Sequence, residues 1–116
     1  MVVNRMAMTK ILNDIKDYLN INDTDVFDNE LLLLCNSALG SLKQIGAITF
    51  NNEVDKDTLW DSLKVRSDLI SFVKQYLYAK IRIAFDPPAS SMAMEALKNI
   101  VSETEWRFYI GSEVKT

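Results

Sequence analysis

The only two prolines of the chain are adjacent, and they separate two long segments in which apolar residues recur every three or four positions. The segment before them predicts a helix over residues 67–85, and the segment after them predicts one over residues 90–110. Proline lacks the amide hydrogen that a helix needs, and it disfavours the helical conformation of the residue before it. Residues 86–88 therefore predict a sharp corner between two helices, with Ser90 or Ser91 capping the second.

Two more helices are predicted in the first half of the chain, over residues 8–19 and 26–45, because apolar residues again recur at helical spacing. Gly46 favours the end of the second helix, since glycine readily adopts the left-handed conformation found after many helices. Residues 47–57 carry short apolar runs on either side of two asparagines, and this pattern fits either a loop or a short hairpin. A short helical turn is predicted at 57–63.

A chain of 116 residues is enough for one domain and leaves little room for a second. Hydrophobic residues make up 48% and charged residues 25%, which is typical of a globular protein that builds its core without metals or disulfides. The sequence therefore predicts one all-α domain over residues 1–116, a small bundle of about four helices with short flexible ends at about 1–6 and 112–116. The single cysteine, Cys35, lies in an apolar run and is predicted to be buried.

The residue types that most catalytic sites need are missing. Histidine is absent, which removes the commonest general base and most zinc sites. The three glycines are too far apart to form a phosphate-binding loop. Counted from Asp23, the sixth and twelfth positions hold Asp28 and Leu34, whereas a calcium loop of the EF-hand type needs Gly and Glu there. We therefore expect no enzyme activity, no metal and no cofactor.

Charge and hydropathy disfavour nucleic acids and membranes as binding partners. The formal net charge is -3, and no stretch forms a basic stripe, so tight binding to a phosphate backbone is not expected. No segment reaches the roughly 20 apolar residues that cross a bilayer. The first residues do not resemble a signal peptide, so we expect the chain to remain in the cytoplasm where it is made.

The strongest functional signal lies in the segment 81–107. It contains an apolar helix, a Phe-Asp-Pro-Pro turn followed by serines, and a long helix that ends in Glu-Trp-Arg. With these motifs at this spacing, the chain resembles the head-tail connector (adaptor) family of long-tailed phages. The order of the predicted helices fits that family over the whole chain. The residues that carry the motif are Phe85, Asp86, Pro87, Pro88, Ser90, Ser91, Glu105, Trp106 and Arg107.

The motif residues are interpreted as a signature of the fold, without contact to a ligand. The prolines set the corner between the helices. Trp106 is expected to anchor the last helix to the core, and Arg107 to pair with Glu103, which lies one helical turn earlier.

The resemblance implies a structural role. Members of this family form rings in the virion neck, below the portal of the capsid, and the other side of the ring receives the next neck (head-closure) protein. The resemblance also implies a ring of about twelve copies, to match the usual twelvefold portal, and such a ring needs two different contact patches on each subunit. DNA would only pass through the ring, without sequence-specific binding. The subunit would assemble in the host cytoplasm, and it could remain a monomer in solution until the portal templates the ring.

Two sets of residues are candidates for the contacts that such a ring needs. Two patches of apolar side chains are candidates for the subunit interface, and the alternative is that they fill the core of the monomer. One patch consists of the apolar residues of the second helix in excess of its stripe, Leu32, Leu33 and Leu39, and the other of Ile48, Phe50 and Trp60. The end of the last helix and the polar tail are candidates for the portal contact, with Tyr109, Ile110, Glu113, Val114 and Lys115.

Two other functions fit the same predicted fold. One is a small helical regulator that binds DNA through a helix-turn-helix, but the helix after residues 86–88 begins without Lys or Arg. The other is a different helical protein of virion assembly, which would differ only in its partner.

Overall fold

The computed structural model describes residues 8–50 and 52–114, and these form four α-helices. They are α1 (Ile11–Leu19), α2 (Asp28–Gln44), α3 (Ile70–Phe85) and α4 (Ser91–Val114). The predicted all-α bundle is confirmed. The predicted turn near residue 60 is a short 3-10 helix, Trp60–Leu63.

Helix α3 is the centre of the bundle. It contacts α1, α2 and α4, whereas α4 packs mainly on α3. The side chains of α3 that face its neighbours are fully or almost fully buried; they include Val73, Tyr76, Leu77 and Ile81. The apolar second half of α3, noted in the sequence, is thus explained by neighbours on more than one side.

Left-handed residues end the first two helices. Asn20 has φ 61° and follows α1, and Gly46 has φ 79° and follows α2. After α2, the Gly46 amide donates to the Lys43 carbonyl at 3.0 Å, and the Ala47 amide donates to the Leu42 carbonyl at 2.9 Å. These two bonds form a Schellman motif, in which a left-handed residue lets the chain cap the last free carbonyls.

Three helix ends differ from the sequence prediction by three residues or more. Helix α1 begins at Ile11 instead of residue 8, because Thr9 and Lys10 pair with a distant segment: the Ile11 amide donates to the Thr58 carbonyl at 3.0 Å, and the Trp60 amide to the Thr9 carbonyl at 3.2 Å. Helix α3 begins at Ile70 instead of residue 67, after a turn closed by the Leu69 amide on the Arg66 carbonyl at 2.9 Å.

Helix α4 is the third case, since it continues through Gly111 to Val114, where the sequence predicted an end near residue 110. One glycine inside a helix costs only about 1 kcal/mol, which is too little to end it. The tail predicted to be flexible from residue 112 is thus helical as far as Val114. The predicted flexible residues 1–6 lie outside the described part of the chain.

The segment between α2 and the 3-10 helix is a loop, and its described residues contain no strand. The side-chain amide of Asn36 on α2 holds this loop. Its Nδ2 donates to the Val54 carbonyl at 3.1 Å, and its Oδ1 accepts from the Val54 amide at 2.8 Å. Val54 and Ile48 are buried in the core, so the loop forms one side of it. Of the two alternatives for residues 47–57, the loop is correct.

None of the described helices has the length and hydropathy needed to cross a membrane.

Candidate interaction surface

The proline corner is built from contacts between parts of the subunit itself. The Asp86 amide donates to the Arg82 carbonyl at 2.9 Å at the end of α3. The Phe85 ring meets the Phe27 ring edge-on at a centroid distance of 5.2 Å. Ser90 caps α4, since its Oγ accepts from the Ala93 amide at 3.2 Å, and Ser91 is the first residue of the helix. Pro87 and Pro88 lie between Asp86, at the end of α3, and Ser90, at the start of α4.

Glu105 joins α4 to α3. The Tyr76 hydroxyl donates to Glu105 Oε2 at 2.6 Å. Desolvation and the neighbouring Glu105 carboxylate both raise the pKa of the Tyr76 phenol well above its usual value, so it stays protonated and donates. Nothing in the sequence predicts this contact, because the two residues lie on different helices and are 29 positions apart.

Trp106 and Arg107 do not have the roles expected from the sequence. Trp106 is 63% exposed and therefore does not anchor α4; among residues 91–110 of the helix, Thr104 is the one that is buried. The Arg107 guanidinium lies 5.7 Å from the centre of the Phe72 ring, and no ion pair with Glu103 is found among the described residues. Trp106 is exposed because it lies two residues beyond the buried Thr104, and two residues correspond to a turn of about 200° around the helix axis.

The outward side of α4 carries an exposed aromatic cluster at its C-terminal end. Trp106, Tyr109 and Ile110 are separated by three and four residues, so they share one face, and we call them the α4 tip. Their exposed fractions are 63%, 45% and 39%. The Trp106 and Tyr109 rings stack at a centroid distance of 6.2 Å. The α4 tip contains two residues predicted to touch the portal; Glu113 and Val114 follow in the same helix, and Lys115 lies outside the described residues.

The predicted subunit-interface residues divide into three groups. Leu39, Ile48 and Trp60 are only 1%, 5% and 0% exposed. These three fill the core of the subunit, which is the alternative that the sequence left open. Leu32 and Phe50 are half-buried and pack against that core. Leu33 is 67% exposed on α2, and it alone of the six stands free for a partner.

Trp60 is buried because α1 and α3 supply its polar partners. Its Nε1 donates to Asp14 Oδ2 at 2.7 Å, and the same oxygen accepts from Thr9 Oγ1 at 2.6 Å. The Lys74 ammonium lies 3.6 Å from that oxygen and 4.9 Å from the centre of the Trp60 ring. A buried indole N–H needs an acceptor, and Asp14 provides it.

The acidic residues before α2 bind a lysine. Lys16 Nζ lies 3.0 Å from Asp25 Oδ1 and 3.0 Å from Asp28 Oδ1. The contact with Asp28, followed by that with Asp25, raises the pKa of the Lys16 ammonium. Within residues 8–50 and 52–114, no group of Cys, Asp and Glu side chains has the arrangement of a metal site. Cys35 is buried, and desolvation raises the pKa of its thiol to about 12, so the thiolate needed for reactivity is disfavoured.

Comparison with known proteins gives one match. A family model described as "Phage connector protein" matches residues 11–115, which include all four helices and the proline corner. The comparisons with curated proteins and with solved structures found no match.

Proposed function

This chain belongs to the phage connector protein family, and we propose that it acts as a single helical domain that forms a ring between the portal and the next neck (head-closure) protein. Phage connector proteins are structural, so the function of the chain is to make contacts with other virion proteins. In this proposal the ring lies in the virion neck, holds about twelve copies, as the resemblance to head-tail connectors implies, and lets DNA pass through its centre.

The observation that carries the proposal is the exposed α4 tip. Large aromatic side chains that remain exposed as a cluster mark protein interaction sites, because water contact is unfavourable for them. Tryptophan and tyrosine are also among the residues that contribute most to binding at interfaces. In this proposal Tyr109 and Ile110, together with Glu113, Val114 and Lys115, contact the portal, and Trp106 extends the same surface.

The proline corner contributes by fixing the direction of α4. Ser90 caps the first turn of α4, and the Tyr76 hydroxyl bonds Glu105, which attaches the second half of α4 to α3. A surface that is already ordered loses less conformational entropy when it binds. The α4 tip is thus presented to a partner in one defined orientation.

Net charge supports passage of DNA without retention. The formal charge is -3, and the sequence lacks the basic stripe that would bind phosphates. The same feature speaks against the DNA-binding regulator, since the start of α4, Ser91 to Glu95, offers no Lys or Arg to a groove.

The test is binding to the purified portal of the same phage. We expect the double variant Trp106→Ala, Tyr109→Ala to bind the portal at least tenfold more weakly, because two interface aromatics of about 1–2 kcal/mol each are lost. Removal of residues 112–116 is expected to weaken docking as well. Binding can be measured by co-sedimentation, and the rings can be seen by electron microscopy.

The matched control is Met92→Ala, at the opposite end of α4, where the side chain is 83% exposed. It should bind like the wild type, and all variants should keep the unfolding midpoint of the wild type. Normal docking by a folded double variant would show that the α4 tip is not the portal contact. A wild-type chain that binds no portal and forms no ring would refute the proposed function.

A further inference from the structure

A groove runs along the surface of α3, and two aromatic side chains form part of its lining. We call it the α3 groove; it has a volume of about 410 Å³ and is lined by Ser71, Phe72, Lys74, Gln75 and Tyr78. Phe72 is 36% exposed. Tyr78 is held in place because its ring stacks on Tyr18 at a centroid distance of 4.6 Å. The groove therefore offers a preformed apolar surface.

One cation stands at the edge of the α3 groove. The Arg107 guanidinium lies 5.7 Å from the centre of the Phe72 ring, and Arg107 is exposed. Lys74 also lines the groove, but its ammonium is 3.6 Å from Asp14 and its side chain is only 12% exposed. Arg107 is thus the positive charge available to a partner at this groove, and it lies next to the apolar Phe72 ring.

The loop between α1 and α2 has the complementary character, and we call residues 20–27 the acidic loop. No Lys or Arg occurs between Lys16 and Lys43, while Asp23 and Asp25 lie in the loop itself. Val26 follows them and is 81% exposed, which is unusual for a β-branched apolar side chain. An apolar side chain flanked by carboxylates would fit an apolar groove flanked by a guanidinium.

The acidic loop is ordered before any partner binds. The Val26 amide donates to Thr24 Oγ1 at 3.2 Å. Asp25 is tied to Lys16 at 3.0 Å, and Phe27 packs on Phe85 at the end of α3. Because these contacts fix the loop, little entropy is lost when Val26 docks.

A subunit cannot place its own acidic loop at the Phe72 end of its own groove. The contact between Phe27 and Phe85 holds the loop at the C-terminal end of α3, and Phe72 lies near the N-terminal end. Thirteen helical residues correspond to about 20 Å. The loop and the groove are therefore two separate patches on one subunit, which is what a head-to-tail contact between copies requires.

We propose that Val26 of one subunit packs into the α3 groove of a second copy of this chain, with Asp23 facing Arg107 of that copy. The inference rests on the proposed ring and names the surfaces that join its subunits. Repetition of the contact closes a ring when the rotation between neighbours allows it. The attraction between the charges favours the correct pairing and excludes a loop-to-loop contact.

The test is cross-linking of the full chain at high concentration. In the double variant Val26→Cys, Ser71→Cys, a short bismaleimide should join each subunit to the next and give a ladder of dimers, trimers and larger species on a denaturing gel. The two single variants mixed together should give dimers only, since each has one reactive end. Cys35 is 0% exposed and does not contribute bands.

The matched control is Met92→Cys, Ser71→Cys, because Met92 is 83% exposed and lies outside the acidic loop. This control should give no ladder. The proposed contact would be overturned if the control gave as much ladder as the Val26→Cys, Ser71→Cys chain, or if the Val26→Cys, Ser71→Cys chain gave no ladder. Adding Arg107→Glu to the Val26→Cys, Ser71→Cys chain should reduce the ladder at least fivefold, and adding Asp23→Lys as well should restore it. An unchanged yield with Arg107→Glu would overturn the role of the charges.

Failure of this contact is distinguishable from failure of the proposed function. Rings on the portal without a Val26–Ser71 ladder would refute only the contact between the subunits. Absence of rings in the presence of the portal would refute the proposed function itself.

Discussion

Asp14 connects three parts of the sequence through a single carboxylate oxygen. It accepts from the indole of Trp60 and the hydroxyl of Thr9, and it lies beside the ammonium of Lys74. Trp60 is completely buried, so no water can replace the carboxylate as its acceptor. At the scale of single residues, Asp14 therefore determines whether the largest core side chain is satisfied.

Replacement of Asp14 by alanine is expected to lower the free energy of unfolding by about 2 kcal/mol, because it leaves the buried indole N–H without a partner. Urea denaturation followed by circular dichroism measures the loss. Asp61→Ala is the control, because Asp61 makes a long, exposed ion pair with Lys64 at 3.9 Å. This substitution should change the free energy of unfolding by less than about 0.5 kcal/mol. Equal effects of the two substitutions would contradict the role of Asp14.

Cys35 is expected to resist modification in the folded protein. Its pKa is raised by desolvation from 9.0 to about 12, and the side chain is 0% exposed. The thiol should react with a thiol reagent at pH 8 only after urea unfolds the chain. Because the folded-state pKa is the higher one, this group stabilises the fold fully below pH 9 and loses that contribution as the pH rises towards 12. Rapid labelling without urea would show that α2 opens locally.

At the scale of elements, helix ends depend on backbone conformation more than on composition. Gly46 adopts φ 79° after α2, and there an added side chain would be strained. Gly40 lies inside α2, where an added Cβ would meet no atom within 4 Å. The backbone therefore requires glycine at position 46 but not at position 40.

Gly40→Ala should stabilise the protein by about 0.5–1 kcal/mol, because alanine loses less conformational entropy in a helix. Gly46→Ala should destabilise it by about 1 kcal/mol or more, because alanine disfavours the left-handed conformation. The two variants control for each other in one series of thermal or urea unfolding curves. A stabilising Gly46→Ala would mean that the end of α2 rearranges freely.

At the scale of the whole molecule, the core and the proposed contact surfaces are formed mostly by different residues. The buried side chains of α1, α2 and α3, with those of the loop and the 3-10 helix, form one core. The α4 tip, the acidic loop and the α3 groove surround it. Subunit stability and assembly can therefore be changed separately, by substitutions at different positions.

The purified subunit is expected to cause no shift of duplex DNA in a gel at about 0.15 M salt. Its net charge is -3, and binding to a phosphate backbone requires several cations on one surface. The double variant Asp23→Lys, Asp25→Lys can serve to show that the assay responds to charge. Binding by the wild type that weakens as salt rises would favour the regulator over the connector.

Sequence alone determined the features that depend on local chemistry. The helical periodicity, the corner at Asp86 to Pro88 and a serine cap at Ser90 or Ser91 follow from backbone sterics and from hydrogen bonds between near neighbours. The motif around that corner also identified the family, which the family model confirms over residues 11–115.

The tertiary structure decided which apolar side chains are buried. Trp60 lies in a short turn and is fully buried, whereas Trp106 lies in a long helix and is 63% exposed. Trp60 is covered because Asp14 and Lys74 come to it from distant helices, whereas the described part of the chain leaves Trp106 largely uncovered. Burial depends on contacts between residues far apart in the chain, and local periodicity contains no information on those contacts.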